Sequence, residues 1–497
     1  MTMIPLSILF IAVSSMILRT WIRWPRRDFG VDTWYFLNYA EGMRRQKRLP
    51  VHLPHYLLDI EEQWYPPFVA FLVALFSKRI ADQYHWMFSA IIDTLHGLLL
   101  YAVTYWVTHR YEIAFSAALL YATGTFNASM ATNLNARSTA NLVFTLLMVF
   151  LYCAWMQRTV ISVVALMLCG AILLHTHKTS VQQFLFIIAG LTFIYRDIFF
   201  IGCLAGIVAT AFVITGGFYR KILCNHVQII RYWSKNLPYL WQHQVYASPL
   251  YANAEKARRK KGVAGVKKNK VMYFLARGQL VLSLIIVVVW WLCKSAYPVI
   301  PGANFFFYWI SINYIAILTT SYLPLFKNIG EGYNYVLYGI FPMSILLACA
   351  LGVILPDIRA YAAAVSVLVA LNLMIQISTL WRQFDNTNSF VDDELKEIIR
   401  QLRAAPRDGV MCLPVFKAEP VAYLAQKKVL WGGHGGGWDK LNEFYPLLRT
   451  PLEELIRRYG LSYILIDKRF VDFEDTRLHP LVKVLYDGAH YLLAEVV

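Results

Sequence analysis

Apolar runs long enough to cross a lipid bilayer recur along the first three quarters of the sequence. A helix of about 20 apolar residues spans the hydrocarbon core, which is about 30 Å thick. The pattern predicts a mostly α-helical, polytopic membrane protein with about 11 transmembrane helices. The predicted spans are residues 3–21, 85–107, 112–132, 139–156, 159–174, 182–195, 198–217, 273–293, 303–325, 334–355 and 360–381.

One further apolar segment, residues 66–78, is too short to cross. A helix of about 13 residues reaches only about 20 Å, so we predict that this segment lies at the outer leaflet. With the N-terminus in the cytoplasm, 11 spans place the C-terminal region outside. Each short connection assigned to the cytoplasm then carries an arginine, as the positive-inside rule expects. These arginines are Arg110, Arg158, Arg196 and Arg359.

The basic loop 218–272 disagrees with this topology. It contains 12 lysines and arginines and a single acid, Glu255, yet 11 spans place it outside. A 12-span alternative, in which residues 66–78 cross, places this loop and the C-terminal region inside. The positive-inside rule weakens for long loops, and only 11 spans gather the polar motifs described below on one face. We therefore favour 11 spans.

The pattern changes from about residue 385 onwards. Short strand-like stretches such as GVMCLPVF and SYILID alternate with helical ones, which predicts a small α/β domain with a partly parallel sheet. We therefore predict a transmembrane domain over residues 1–383, in which an external loop, 22–84, carries juxtamembrane helices. Residues 384–497 are predicted to form a soluble domain outside the cytoplasm.

Composition and charge support a membrane protein with an anionic partner. Hydrophobic residues make up 58% of the chain, against about 45–50% in soluble domains. The formal charge of +17 is unevenly spread: residues 1–383 have 32 basic and 13 acidic residues, whereas residues 384–497 have 15 and 17. This basic excess suits anionic membrane lipids or a phosphate-bearing lipid substrate. We expect no nucleic acid partner, because no recognition motif accompanies the basic runs.

The segment that follows the first span, residues 23–68, has a distinctive order of residues. Asp32 comes about ten residues after the span, and Trp34, Tyr35 and Tyr39 follow at helical spacing. A basic run and a Trp-Tyr-Pro-Pro turn come next. This order resembles the first external loop of GT-C glycosyltransferases, in which an acid, a juxtamembrane helix and an aromatic-Pro-Pro turn follow the first span.

The resemblance implies transfer of a sugar from a polyprenyl-phosphate donor. The acceptor would be a glycan, lipid or protein at the outer face of the plasma (inner) membrane, and the anomeric centre would be inverted. Such a transfer needs a base that takes the proton of the acceptor hydroxyl. A phosphate leaving group needs no general acid, so a single carboxylate, Asp32, suffices. Two alternatives are that Asp32 caps the following helix and that Asp28 is the base.

Two polar motifs at predicted outer ends of spans are candidates for binding the donor phosphate. Arg137 lies in NLNARSTAN, and His177 and Lys178 lie in LLHTHKTSVQQ. Arginine holds phosphate through paired N–H donors, but ordinary loop polarity and anchoring at the interface also explain these residues. The Arg137 motif lacks a carboxylate, and the His-x-His pair lacks an acidic third ligand. No metal or other cofactor is therefore indicated.

A third motif, NIGEGYNYVLYGIFP, opens the tenth predicted span. Glu331, Tyr333 and Tyr335 match in type a Gly-Glu-Arg-Tyr-like sequence of GT-C enzymes, which implies substrate binding. Tyr or Asn stands where that sequence has Arg, and an aromatic belt at the membrane surface is the alternative. The glycine-rich loop 432–437 lacks the Gly-Lys-Ser/Thr ending of a P-loop. It either covers the acceptor or is a plain loop.

Two other functions fit a polytopic protein with these motifs. One is a polymerase or ligase of lipid-linked glycans, in which external arginines would dominate over a single acid. The other is a lipid or solute transporter. Transporters usually have charged or broken helices at mid-membrane and repeated halves. Here no halves repeat, and Asp93 is the only acid well inside a predicted span, so sugar transfer is the leading hypothesis.

Overall fold

The computed structural model describes residues 3–21, 23–24, 27–58, 62–236, 279–292, 302–326, 329, 332–385, 391–471 and 481–497. Internal contacts divide the chain into two compact units. The first, called the helical unit, comprises Met1–Arg27, Trp86–Tyr219 and Lys270–Thr387. The second, called the mixed unit, comprises Asp28–His85, Arg220–Asn269 and Asn388–Val497. The mixed unit thus combines most of the predicted first loop with the C-terminal residues.

Helices dominate the described part of the chain. In chain order they are α1 (Met3–Thr20), α2 (Val31–Gln46), α3 (Phe68–Ala74), α4 (Lys78–Thr108), α5 (Tyr111–Ala122), α6 (Thr125–Met130), α7 (Ala136–Gln157), α8 (Val160–Leu174), α9 (Lys178–Tyr195), α10 (Phe199–Ile214), α11 (Phe218–Lys235), α12 (Gln279–Leu292), α13 (Ala303–Tyr322), α14 (Ile340–Ile354), α15 (Ile358–Asp385), α16 (Asp393–Ala404) and α17 (Leu452–Tyr459). A 3-10 helix, Gly332–Gly339, leads directly into α14.

Several of these helices suit a bilayer. Four are long and apolar enough to cross one, and α10 with α11 passes the same test only when the two are joined. The four are Lys78–Thr108, Ala136–Gln157, Asn334–Ile354 and Ile358–Arg382. The protein is therefore mostly α-helical and polytopic, as predicted, whereas the exact number of 11 spans stays a prediction.

Two segments differ from the predicted spans. The predicted span 112–132 is divided into α5 and α6, and Gly124 lies between them in an extended conformation. A Cβ atom at Gly124 would lie 3.0 Å from the carbonyl oxygen of Tyr121, so glycine suits this break. The short apolar segment 66–78 contains only α3. Its seven residues rise about 10 Å, too little to cross a bilayer.

A buried polar cluster ties helices of the helical unit together. Arg19 of α1 forms an ion pair with Asp93 of α4, and both side chains are almost fully buried. The Tyr121 hydroxyl of α5 donates to Asp93 Oδ1 at 2.7 Å and contacts His96 Nδ1 at 2.7 Å. His96 Nε2 in turn lies 2.9 Å from the Thr145 hydroxyl of α7. Charges inside a membrane are costly unless they are paired, so this cluster fixes which faces of these helices meet.

A four-stranded sheet forms the centre of the C-terminal part of the mixed unit. Its strands are β1 (Val410–Leu413), β2 (Tyr463–Asp467), β3 (Val482–Asp487) and β4 (Tyr491–Val496). The spatial order is β1-β2-β4-β3. β1 pairs with β2 in parallel, and the other pairs are antiparallel. The amphipathic helix α16 buries Leu395, Ile398 and Leu402. A mixed sheet is the partly parallel arrangement that the sequence predicted.

Candidate active site

Asp32 lies in the first turn of α2. The N-cap of this helix is Gly30, whose φ of 97° is accessible to glycine. Asp32 is therefore not the N-cap residue that one alternative proposed. Its side chain is 31% exposed, and its Oδ1 atom lies 3.3 Å from His434 Nε2. The proposed base thus has a defined partner in the mixed unit and can still be reached from solvent.

His434 lies between two carboxylates. Its Nε2 atom faces Asp32, and its Nδ1 atom lies 3.0 Å from Glu419 Oε1. Glu419 is completely buried, and its second oxygen accepts a hydrogen bond of 2.5 Å from the Tyr56 hydroxyl. The four side chains form one continuous hydrogen-bonded chain, Asp32–His434–Glu419–Tyr56.

Backbone pairing brings this chain of residues together. Leu57 N–H donates to the Val429 carbonyl at 2.9 Å, and Leu58 N–H donates to the Leu430 carbonyl at 3.2 Å. Val429 N–H donates to the carbonyl of His55 at 2.8 Å. Val429 also forms isolated bridges with Tyr56 and with Val410. This pairing holds residues of the first loop against the C-terminal residues that precede the glycine-rich loop.

The glycine-rich loop 432–437 positions His434. Gly433 and Gly437 have φ values of 94° and 72°, a region in which side chains other than glycine are strained. Gly432 passes so close to its neighbours that a Cβ atom there would lie 2.4 Å from the Tyr56 ring and 2.6 Å from Glu419 Oε1. The glycines therefore permit the close approach that places the imidazole between its two carboxylates.

Aromatic rings of the first loop enclose the imidazole. The Tyr35 ring stacks on His434, with ring centroids 4.3 Å apart and planes 12° apart. The Tyr65 ring meets it edge-on at 5.2 Å. The Tyr35 hydroxyl donates to Gln63 Oε1 at 3.0 Å. Tyr35 and Tyr65, two of the aromatic residues on which the sequence resemblance rests, thus form walls around His434.

This packing shifts the pKa values of two buried groups, His434 and Glu419. Burial opposes the charged form of His434, but the hydrogen bonds and charges of Asp32 and Glu419 outweigh it and raise the pKa of His434 to about 9. Burial also raises the pKa of Glu419, although the hydrogen bonds from His434 and Tyr56 oppose this shift. The site is therefore built around a charged imidazole at neutral pH.

In the helical unit, Arg137 and His177 lie near one tyrosine. Arg137 lies in the first turn of α7, and its Nη1 atom is 3.9 Å from Met130 Sδ. His177 is the N-cap residue of α9, and its Nδ1 atom lies 2.7 Å from the Thr179 hydroxyl. The Thr179 hydroxyl lies 3.0 Å from the Tyr338 hydroxyl. The positive charge of Arg137 also acts on the Tyr338 hydroxyl. Within the described residues, no carboxylate pairs with Arg137.

The other predicted substrate-binding residues lie in different surroundings. Lys178 is half-buried at the start of α9. Tyr335 is fully buried, and its hydroxyl donates to Gln182 Oε1 at 2.9 Å. Glu331 and the side chain of Tyr333 lie outside the described residues. All of these belong to the helical unit, whereas Asp32 belongs to the mixed unit. Their joint action on one substrate stays a prediction.

Solved structures provide the comparison for this arrangement. ArnT from Cupriavidus metallidurans in the apo state is 12% identical, with a TM-score of 0.59, and the match covers 100% of this chain and 98% of that chain. The same protein bound to undecaprenyl phosphate is 13% identical, with a TM-score of 0.57 and the same coverage. Both are GT-C glycosyltransferases.

A third similar structure is the oligosaccharyltransferase of Archaeoglobus fulgidus in complex with zinc and sulfate. It is 13% identical, with a TM-score of 0.56, over 93% of this chain and 68% of that chain. The chain has the GT-C fold. No protein-family model and no curated protein sequence matches it, so the evidence for the GT-C fold is structural.

A GT-C structure that contains zinc raises the question of whether a metal fits here. Within the described ranges, no three His, Cys, Asp or Glu side chains are arranged to hold a metal ion. The imidazole of His434 uses one nitrogen for each neighbouring carboxylate. Asp32, His434 and Glu419 therefore do not converge on one point as ligands would, and the residues described do not fit a metal.

Two residues of this candidate site, His434 and Glu419, were not predicted from the sequence. The glycine-rich loop that contains His434 was predicted either to cover the acceptor or to be a plain loop. A signal for Glu419 was present, since it is the single acid within the apolar stretch AEPVAYLA and a buried carboxylate needs a partner. Asp32, about ten residues after the first span, is the residue of this cluster that the sequence analysis named as a candidate.

Proposed function

We propose that the protein is a glycosyltransferase that takes a sugar from a polyprenyl-phosphate donor. The acceptor is a glycan, lipid or protein, and transfer takes place at the outer face of the plasma membrane with inversion. The soluble C-terminal residues lie on that same side. The GT-C fold and the carboxylate that follows the first helix support this proposal.

In the proposed reaction, Asp32 takes the proton of the acceptor hydroxyl while the acceptor oxygen bonds to the anomeric carbon. The bond from that carbon to the phosphate oxygen breaks, and polyprenyl phosphate leaves with the electron pair. Arg137, His177 and Lys178 bind the donor phosphate, because charge-assisted hydrogen bonds are strong. A separate set of residues is proposed to contact the sugar: Glu331, Tyr333 and Tyr335.

The observation that carries the proposal is the exposure of the Asp32 carboxylate together with its contact to His434. Its carboxylate is 31% exposed, so an acceptor can reach it, and His434 holds one of its oxygens at 3.3 Å. A base must lie within hydrogen-bond reach of the proton that it removes, and its orientation must be fixed. Asp32 combines both properties within the first turn of a helix.

The decisive experiment is Asp32→Asn. Membrane vesicles with the variant receive a panel of undecaprenyl-phosphate-linked hexoses and pentoses, and release of undecaprenyl phosphate is measured. We expect transfer to fall about 10²–10⁴-fold, the usual contribution of a general base. Asp28→Asn is the matched control, because Asp28 pairs with Lys396 at 3.0 Å and should leave the rate within about twofold.

Full activity of Asp32→Asn would contradict the proposal, and full activity combined with loss in Arg137→Ala would favour a polymerase or ligase. In the proposed mechanism, Arg137→Ala and Lys178→Ala instead raise the KM for the donor about 10-fold or more, since hydrogen bonds to charged groups contribute about 1.5–3 kcal/mol. Arg158→Ala is their control, because Arg158 lies in an exposed pair with Asp197.

A further inference from the structure

We propose that His434 is the positioning residue of Asp32, and that Glu419 acts through it by keeping the imidazole protonated. The inference rests on the proposed role of Asp32 as base. It adds two residues from the C-terminal part of the chain to the catalytic machinery. Only Asp32 meets the acceptor in this scheme, and Glu419 never does.

The hydrogen bonds among Asp32, His434 and Glu419 constrain how many protons these three groups share. Each ring nitrogen of His434 faces one carboxylate oxygen, at 3.3 Å for Asp32 and 3.0 Å for Glu419. Every hydrogen bond needs one proton, and an ionised carboxylate can only accept. The Tyr56 hydroxyl already donates to the second oxygen of Glu419. The hydrogen bonds from His434 and Tyr56 favour the ionised form of Glu419. With both carboxylates ionised, two protons on the imidazole satisfy both bonds, and the three groups together carry a net charge of −1.

The groups around the ring agree with this assignment. The charged neighbours are Asp32 from α2 and Glu419 from the residues that follow β1, and the titratable ring neighbours are Tyr35 and Tyr65. Burial raises the pKa of Tyr35 well above its usual 10, so that hydroxyl stays neutral. The net effect of the two carboxylates raises the pKa of His434 to about 9.

The imidazolium has a specific consequence for the base. It holds one oxygen of Asp32 at 3.3 Å, and its positive charge favours the ionised carboxylate in the resting enzyme, because a nearby opposite charge stabilises the charged form. When Asp32 accepts the proton of the acceptor, the net charge of the three groups changes from −1 to 0. His434 keeps both of its protons throughout, so it orients Asp32 without taking part in the proton transfer.

Glu419→Gln separates charge from hydrogen bonding. The glutamine side chain can donate to Nδ1, which leaves His434 neutral with its remaining proton on Nε2, still facing Asp32. We expect the acid limb of the kcat–pH profile to move up by about 1 pH unit or more, with the donor KM unchanged. The probe is the undecaprenyl-phosphate-linked sugar that the wild type turns over.

A second measurement needs no transfer activity. The pKa of His434 is raised on folding, so its contribution to stability is complete below about pH 6.5 and is lost as the pH rises through about 9. The Tm of the purified wild type in detergent should therefore fall over this range. In Glu419→Gln the decrease should be smaller and should end at lower pH, because the folded-state pKa of His434 falls while its unfolded-state pKa stays the same.

The control is Tyr232→Phe, which removes a buried hydrogen bond of 2.6 Å to the Tyr445 carbonyl in the same unit. It should lower Tm without moving either pH profile. A wild-type Tm that is flat between pH 6.5 and 9, or Glu419→Gln profiles that match those of the wild type, would overturn the inference. Because the Tm profile does not depend on transfer, this failure is distinct from an active Asp32→Asn, which would overturn the proposed function.

Discussion

Two aspartates, Asp93 in the helical unit and Asp32 in the mixed unit, differ in their exposure and in the partner that each contacts. Asp93 of the helical unit is 3% exposed and pairs with Arg19, while its Oδ1 atom accepts a hydrogen bond from Tyr121. Asp32 of the mixed unit is 31% exposed, and its Oδ1 atom faces His434. One carboxylate is sealed in protein, and the other remains within reach of a substrate.

The partners of the two aspartates explain the difference. Arginine keeps its charge at every physiological pH, so Arg19 is a permanently charged partner for Asp93 and maintains the packing of these helices. Histidine changes charge near neutral pH unless its surroundings prevent it, and Glu419 provides such surroundings for His434. A buried ion pair therefore indicates a structural role for Asp93, whereas a partly exposed carboxylate with a tuned partner is compatible with the proposed role of Asp32 as base.

The largest effect should come from Asp93→Asn. It leaves the buried Arg19 charge without its partner, which costs about 3–5 kcal/mol, and we expect a lower Tm and less monodisperse protein in detergent. Asp197→Asn is the control, because the Arg158–Asp197 pair at 3.3 Å is exposed and is worth at most about 1 kcal/mol. A stable but inactive Asp93→Asn would give Asp93 a chemical role and remove the contrast with Asp32.

Gly432→Ala should have an intermediate effect, and this effect should concern the orientation of Asp32. The new methyl group would lie 2.4 Å from the Tyr56 ring and 2.6 Å from Glu419 Oε1, so both must move, at a cost of about 1–3 kcal/mol. We expect kcat to fall while the donor KM stays constant. Gly202→Ala, where no atom lies within 4 Å of the new Cβ, should change neither. Unchanged kcat in Gly432→Ala would show that Asp32 does not depend on the loop.

Tyr121→Phe should have the smallest effect. It removes the hydroxyl that lies 2.7 Å from both Asp93 Oδ1 and His96 Nδ1 but keeps the ion pair with Arg19, so a loss of about 1–2 kcal/mol in the free energy of unfolding is expected. The transfer rate per folded molecule should not change. A rate that falls as far as in Asp32→Asn would contradict the structural role of the buried cluster.

The sequence predicted the helices and strands better than it predicted which distant residues contact each other. The position of α2 and its aspartate, the shortness of the apolar segment around α3 and the mixed sheet all follow from local periodicity and turn residues. The break between α5 and α6 was missed, since Gly124 lies inside a run that is apolar throughout. Apolarity indicates burial, but it does not show where a helix must end.

The contacts that make the candidate site depend on chain segments far apart. The pairing of Leu57 with Val429 and the contact of His434 with Asp32 each join segments more than about 350 residues apart. Periodicity identifies the buried face of an element but not the distant residue that covers it. Arg19 illustrates the same limit, because its position in α1 gave no sign of Asp93 as its partner.

The backbone pairing around Val429 has a consequence for biosynthesis. A ribosome adds Asp32 long before it adds Glu419 and His434. A nascent polypeptide that is already threaded into the bilayer therefore carries the proposed base without the groups that orient it. On this scheme the enzyme stays idle during translation until Glu419 and His434 have been added and have reached Asp32.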